Sequence, residues 1–337
     1  MSKKRYLFVV ILLILALLLP AGCSRPRDFG IMGFYEKGWD DMTYGYPQLE
    51  KHYQTLIALM PFWYTVQADG NIKENEIEPE VTDLVKQDKE TKLLPLLNNG
   101  EGVGDKLNDA DFRATVVDNI QTLVQDNDYD GVNIDFELIP PESRDGLTSL
   151  IQELSQTMRN KSVSVSVFPL VGVTEDITGA YDYEALAKNA DYLTIMTYDK
   201  HEESSDPGSV APYDWVVENL DTAVGKIGKE KVVLCIGAYG YDWPTGGEGE
   251  VKYMGLKEIL ALADEKGADI EWDDESQSPH FTYDDEDGVT HEVWFENGES
   301  AAKKGQAARD RDIRGIAIWR IGFEDDEYWD KLSGLEH

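Results

Sequence analysis

Two cysteines in 337 residues, Cys23 and Cys235, exclude a disulfide framework and any metal centre built on thiolates. Histidine is nearly as scarce, with five residues that lack the paired spacing of a zinc site. Basic residues are few: 31 Lys and Arg face 65 Asp and Glu, leaving a formal charge of −34. Such a chain repels phosphate backbones, which excludes nucleic acid as a natural partner. No apolar run reaches the roughly 20 residues of a membrane-spanning helix. Repeats, low-complexity segments and the Gly-rich phosphate turn of dinucleotide-binding folds are also missing. The acidic run 284–287 fails as a calcium loop: with Gly288 at the sixth position, Tyr283 and Trp294 fall where carboxylates are required. It reads as a solvated hairpin turn. No metal and no cofactor are expected.

What is present begins with a targeting segment. Lys3, Lys4 and Arg5 precede fourteen apolar residues at 6–19, and then Pro20-Ala21-Gly22-Cys23. The small residues before Cys23 resemble the lipobox of bacterial lipoproteins, although Pro20 stands where an aliphatic residue is usual. Residues 1–22 are expected to be a signal peptide and Cys23 the lipid attachment site. The protein would then sit lipid-anchored on the extracellular face of the bacterial cytoplasmic membrane. An uncleaved signal anchor is the alternative. Cys235 lies within Val232-Val233-Leu234-Cys235-Ile236 and reads as a small core side chain.

The remaining chain, 42% hydrophobic and 10% aromatic over its full length, has enough apolar surface for a folded core. Eight short apolar runs stand out: 31–35, 56–64, 92–98, 131–137, 163–169, 192–198, 232–239 and 315–322. Amphipathic helical patterns lie between them. At 109–127, Phe112, Val116, Ile120, Leu123 and Val124 share one face; at 141–160, so do Leu147, Leu150, Ile151, Leu154 and Met158. Eight strand-then-helix units predict an α/β fold, a (β/α)8 TIM barrel over 23–337. The last strand-to-strand gap, 83 residues, is about twice too long and predicts an α+β insertion at about 241–300.

The fourth run, Asp130-Gly131-Val132-Asn133-Ile134-Asp135-Phe136-Glu137, carries the chemistry. Alternation puts Asn133, Asp135 and Glu137 on one face of the strand. A half-exposed antiparallel strand would look similar, but flanking helices imply a parallel sheet covered on its outer face. The polar face then points into the barrel, where carboxylates are tolerable only at the C-terminal mouth.

This motif resembles the DGxDxDxE signature of family-18 glycoside hydrolases, the chitinase-like enzymes. Met196-Thr197-Tyr198-Asp199 resembles the family's MTYD-type motif, and Trp319 in Ile316-Ala317-Ile318-Trp319-Arg320 its strand-eight tryptophan. Asn133 replaces the Asp of many chitinases, a variant more similar to the spore-cortex-lytic and wall-directed branch. The resemblance implies Glu137 as the acid, with Asp135 and Tyr198 handling the substrate's own 2-acetamido group as nucleophile. A like charge two residues away disfavours ionising both carboxyls and keeps Glu137 protonated. Asn133, Met196, Asp199 and Trp319 are expected to contact substrate. Among the aromatics ending strands one and two, the resemblance favours Phe34 and Trp63.

The expected partner is a carbohydrate polymer containing N-acetylglucosamine, bound by a monomer held at the membrane by its N-terminal lipid. Peptidoglycan is the first reading and chitin the second. A non-catalytic, lectin-like barrel would be expected to have lost Glu137.

Overall fold

The structure, a computed structural model, describes residues 29–37, 45–88, 90–245 and 249–335; the signal segment and Cys23 lie outside these. Eight parallel strands form the barrel: β1 Gly30–Tyr35, β2 Leu56–Val66, β3 in two pieces (Lys92–Leu93 and Leu96–Asn99), β4 Gly131–Asp135, β5 Ser162–Val167, β6 Tyr192–Met196, β7 Val232–Gly237 and β8 Gly315–Ile321. Each pairs with the next, and β8 pairs with β1 from Gly30 opposite Gly315, which closes the ring. The fold is a (β/α)8 barrel. β3 is interrupted at Leu94-Pro95 because proline has no N–H for the ladder, although its carbonyl still accepts from Asn133 N at 3.0 Å.

Two apolar layers hold the barrel. Inside lie Met32, Phe34, Ala58, Met60, Leu96, Val233, Cys235 and Ala317. Outside, helix faces cover the sheet, as the periodicity predicts. Helix Ala110–Asp126 buries Phe112, Val116, Val117, Ile120 and Val124, and helix Arg144–Thr157 buries Leu147, Leu150, Ile151 and Leu154. The first of these starts where Asp109 caps it, accepting from Asp111 N at 2.9 Å and Phe112 N at 3.4 Å.

Aspartates ahead of two strands fix the register. Asp130 Oδ2 accepts from Leu93 N at 2.9 Å while its own N–H donates to Leu93 O at 3.0 Å. Asp191 repeats the arrangement on Val163, at 2.9 and 2.8 Å. Gly131 follows at φ +154°, where a Cβ would lie 2.0 Å from Ser162 O, so the Asp-Gly pair that opens the motif is structural.

The long gap holds a five-stranded antiparallel sheet ordered 252–255, 239–244, 290–295, 278–284 and 271–273, with helix Leu256–Lys266. It begins at Tyr239, directly after β7, and ends at Phe295. The helix Gly298–Asp310, which overlaps the expected end of the insertion, packs on β7 and β8 as part of the outer ring. The acidic turn is closed by Asp285, whose Oδ1 accepts from Asp287 N at 2.9 Å and Val289 N at 2.8 Å.

Candidate active site

Several apolar runs outlast the strands they contain. Regular pairing stops at Asp135 on β4 and at Met196 on β6, so Glu137, Tyr198 and Asp199 stand in the loops just beyond. The backbone turns sharply there, with Leu138 at φ +51° and Asp199 at φ +56°. These loops, Phe34 of β1, Phe62 of β2, Trp319 of β8, and the insertion surround a cavity of about 930 Å3 at the C-terminal mouth.

Glu137 is held by its main chain. Its N–H donates to Asn99 Oδ1 at 2.8 Å and its carbonyl accepts from Asn99 Nδ2 at 3.1 Å, so one amide side chain extends the β3–β4 ladder past its end. Tyr181 braces the preceding residue, donating to Phe136 O at 2.6 Å. The Glu137 carboxyl is thereby left free to face the cavity. Asp135 also lines the cavity; it is 7% exposed, and its Oδ1 is buried without a hydrogen-bond partner.

Burial pushes the Asp135 carboxyl up to about 7, against the opposing pull of the Ser166 hydroxyl. Burial also pushes Glu137 up to about 8, with Asp135 and then Asp199 adding like-charge repulsion. Two interacting carboxyls lose their protons as a pair, so near neutrality they hold about one proton between them. If that singly protonated pair is the working form, kcat/KM should peak between about pH 7 and 8 and fall on both sides. A pH–rate profile flat across this interval and beyond would contradict the assignment. Asp199 is also raised by loss of solvation, opposed by Tyr239 and Tyr241, whose hydroxyls donate to its Oδ1 at 2.5 and 3.0 Å.

Of the residues expected from sequence, Phe34, Asp135, Glu137, Met196, Tyr198, Asp199 and Trp319 line the cavity. Phe34 and Trp319 lie 5.5 Å apart between ring centroids, and Trp319 Nε1 donates to Tyr253 OH at 3.3 Å. Tyr198 packs edge-on to Tyr239 at 5.8 Å and its hydroxyl lies 4.0 Å from Cys235 Sγ.

Two expected contacts are corrected. Asn133 is fully buried beneath the cavity; its Nδ2 donates to Ser164 Oγ at 3.0 Å and its Oδ1 accepts from Ser166 Oγ at 3.0 Å. Its amide is engaged inside the barrel, on the serines of the neighbouring strand. Trp63 faces the other way, packed outside the sheet beside Tyr129 at 6.3 Å, because Ala58, Met60 and Phe62 are the inward residues of β2. Phe62 lines the cavity in its place. Trp319→Ala should raise KM and lower kcat with little change in Tm. Trp63→Ala should cost about 3–5 kcal/mol of stability without altering KM. Kinetics and melting on both variants check the assignment.

Residues not picked out from the sequence complete the wall: Asn98, Asn99, Ser166 and the insertion tyrosines Tyr239, Tyr241 and Tyr253. Asn98-Asn99 carried a signal, since two amides ending a barrel strand point to the mouth. The tyrosines carried none, because their direction depends on how the insertion folds back over β7.

The family model for glycosyl hydrolases family 18 matches residues 32–324. The uncharacterized glycosylase YvbX of Bacillus subtilis (strain 168) is 28% identical over 300 residues, covering 85% of this chain and 87% of its own length. The cortical fragment-lytic enzyme of Bacillus cereus is 28% identical over 286 residues, covering 81% of this chain and 66% of that protein, so the chain spans slightly less than two thirds of it. Among solved structures, a chitinase from Chromobacterium violaceum superposes with a TM-score of 0.83 at 28% identity, covering 91% of this chain and 98% of the other. The Bacillus megaterium spore cortex-lytic enzyme SleL gives 0.82 at 26%, covering 91% and 74%. With the match running through nearly every barrel strand and both carboxyls in place at the mouth, the chain belongs to family 18 of the glycosyl hydrolases and is a glycoside hydrolase.

Proposed function

We propose that the protein cleaves β-1,4 linkages beside N-acetylglucosamine in peptidoglycan, with retention of configuration, using the substrate's acetamido group as the nucleophile. The observation that carries this reading is the Asp135–Glu137 pair, poised to hold one proton in a cavity whose remaining deep carboxylate, Asp199, is occupied by two tyrosine hydroxyls. Glu137 gives its proton to the glycosidic oxygen as that bond breaks. The acetamido oxygen attacks the anomeric carbon from the opposite face, forming a cyclic oxazolinium ion. Asp135 balances the positive charge that develops on the acetamido nitrogen, and Tyr198 donates a hydrogen bond to the group. Glu137, now a carboxylate, takes a proton from the water that reopens the ring. Two inversions at one carbon give net retention. Trp319 forms the floor against which the reacting sugar stacks.

Peptidoglycan is favoured by similarity to the cortical fragment-lytic enzyme of Bacillus cereus, and chitin by similarity to the Chromobacterium violaceum chitinase. A purely sugar-binding role is disfavoured because Glu137 is present and held in position by Asn99. Digestion of purified peptidoglycan, spore cortex and chitin, with the new reducing ends identified by mass, tests the reading. N-acetylglucosamine at the new ends of the wall material is expected; muramic acid there, or no cleavage of any of the three, would overturn it. The basic and apolar start of the chain supports a lipid anchor at Cys23. Detergent partitioning that survives Cys23→Ala would refute that anchor.

A further inference from the structure

The cavity wall has one sign of charge. Glu101 and Asp105, in the segment after β3, and Glu203, after β6, stand at its rim, above Asp135, Glu137 and Asp199. Neither lysine nor arginine lines it. The nearby cations are committed elsewhere. Lys200, next to Asp199, places its ammonium 5.8 Å from the Trp215 ring centre and 3.4 Å from Gly172 O. Arg144 bonds to Asp182 at 3.1 Å and to the carbonyls of Gly179 and Tyr181 at 3.2 and 3.3 Å. Lys106 is exposed and does not face the cavity. Among the described residues, Glu101, Asp105 and Glu203 have no ion pair or hydrogen bond to neutralise them.

We infer that the site selects its glycan by charge: sugars with a free carboxylate are rejected at the subsites beside Glu101, Asp105 and Glu203, and sugars whose acid groups are capped, or which carry an amine there, are accepted. This rests on the glycosidase reading above and narrows its substrate class. An anionic sugar entering the rim meets the exposed carboxylates of Glu101, Asp105 and Glu203, and no lysine or arginine lines the cavity to offset them. Like charges within a Debye length repel appreciably at low ionic strength and much less once that length shrinks to a few ångströms. The net charge of −34 adds a longer-range field of the same sign. Acceptance of capped acids makes amidated or otherwise neutral stretches of wall glycan the preferred substrate, and free-acid stretches the poor one.

The test uses oligosaccharides alike except at one residue distal to the cut, with N-acetylglucosamine kept on the non-reducing side of the scissile bond. That distal residue is muramic acid with its lactyl carboxylate free, the same residue as its methylamide, or glucosamine with a free amine. At low salt the amide should exceed the free acid in kcat/KM by about tenfold, and the amine should at least equal the amide. High salt should bring the three together. The triple variant Glu101→Gln, Asp105→Asn, Glu203→Gln should shrink the acid-to-amide gap at low salt. Equal rates for acid and amide at low salt would overturn the inference. So would a gap that neither salt nor the triple variant changes, since it would then be steric. If the methylamide and an uncharged N-acetylglucosamine oligomer are both left uncut, the glycosidase reading falls and this inference falls with it. Cleavage of the neutral oligomers without charge discrimination sinks the inference alone.

Discussion

Glu137→Gln is expected to lower turnover roughly a hundred- to ten-thousandfold while leaving the fold and sugar binding in place. The amide keeps the shape of the carboxyl and its place beside Asn99, whose hydrogen bonds go to the main chain of residue 137 and not to its side chain. What the amide cannot do is give a proton to the leaving oxygen. The same variant should change stability with a definite sign. The folded protein holds the Glu137 proton up to about pH 8, whereas an ordinary glutamate ionises near 4.5. Between those values the unfolded chain releases a proton that the folded chain retains, so stability falls as pH rises. Removing the ionisable group removes that loss. Glu137→Gln should therefore be more stable than the wild type at pH 8 by about 2–4 kcal/mol, and little different at pH 4. Denaturant melts at the two pH values, run beside the kinetics, separate the proton-donor role from a packing role. Full activity in the variant would remove Glu137 from the chemistry.

The second large effect concerns the nucleophile. Replacing the acetamido group on the non-reducing side of the cut by a free amine should reduce kcat by at least about a thousandfold, because the attacking oxygen is lost. Glucan and cellulose oligomers should be inert for the same reason. Asp135→Asn should be comparably damaging, since a neutral amide cannot balance the charge on the oxazolinium ring. A thiazoline analogue of that ring should inhibit the wild type and bind more weakly to the variant. Asp199 is the residue to watch. Its Oδ1 accepts from two tyrosines, and Oδ2 is the one oxygen left for attack. A trapped glycosyl ester on Asp199, or rapid cleavage of the amine-bearing substrate, would replace this mechanism with a two-carboxylate one.

The barrel was legible because its signals are local and repeated. Runs of Val, Ile and Leu between amphipathic helices mark strands buried on both faces, and eight such units leave little besides a closed ring. Glu137 and Asp135 were legible because side chains two apart share a face and a polar face cannot be hidden in a barrel except at its mouth. Trp63 shows where alternation by itself stops. The choice between Phe62 and Trp63 depends on the inward parity of β2, and the register of β2 on β3 shifts between Phe62 and Tyr64. A shift of one residue changes which face a side chain takes.

The sequence by itself thus determined the fold class, the family and the two carboxyls, all carried by periodicity and by short motifs at 130–137, 196–199 and 316–320. Only the tertiary structure decided what surrounds them. Asn133 became a buried strut through Ser164 and Ser166, on a strand 31 to 33 residues away. Asn99 came to brace Glu137 across 38 residues. The insertion brought Tyr239, Tyr241 and Tyr253 into the wall, and loops from β3 and β6 placed three acids at the rim. Each of these is a contact between distant segments, and no local pattern encodes the angle at which such segments meet.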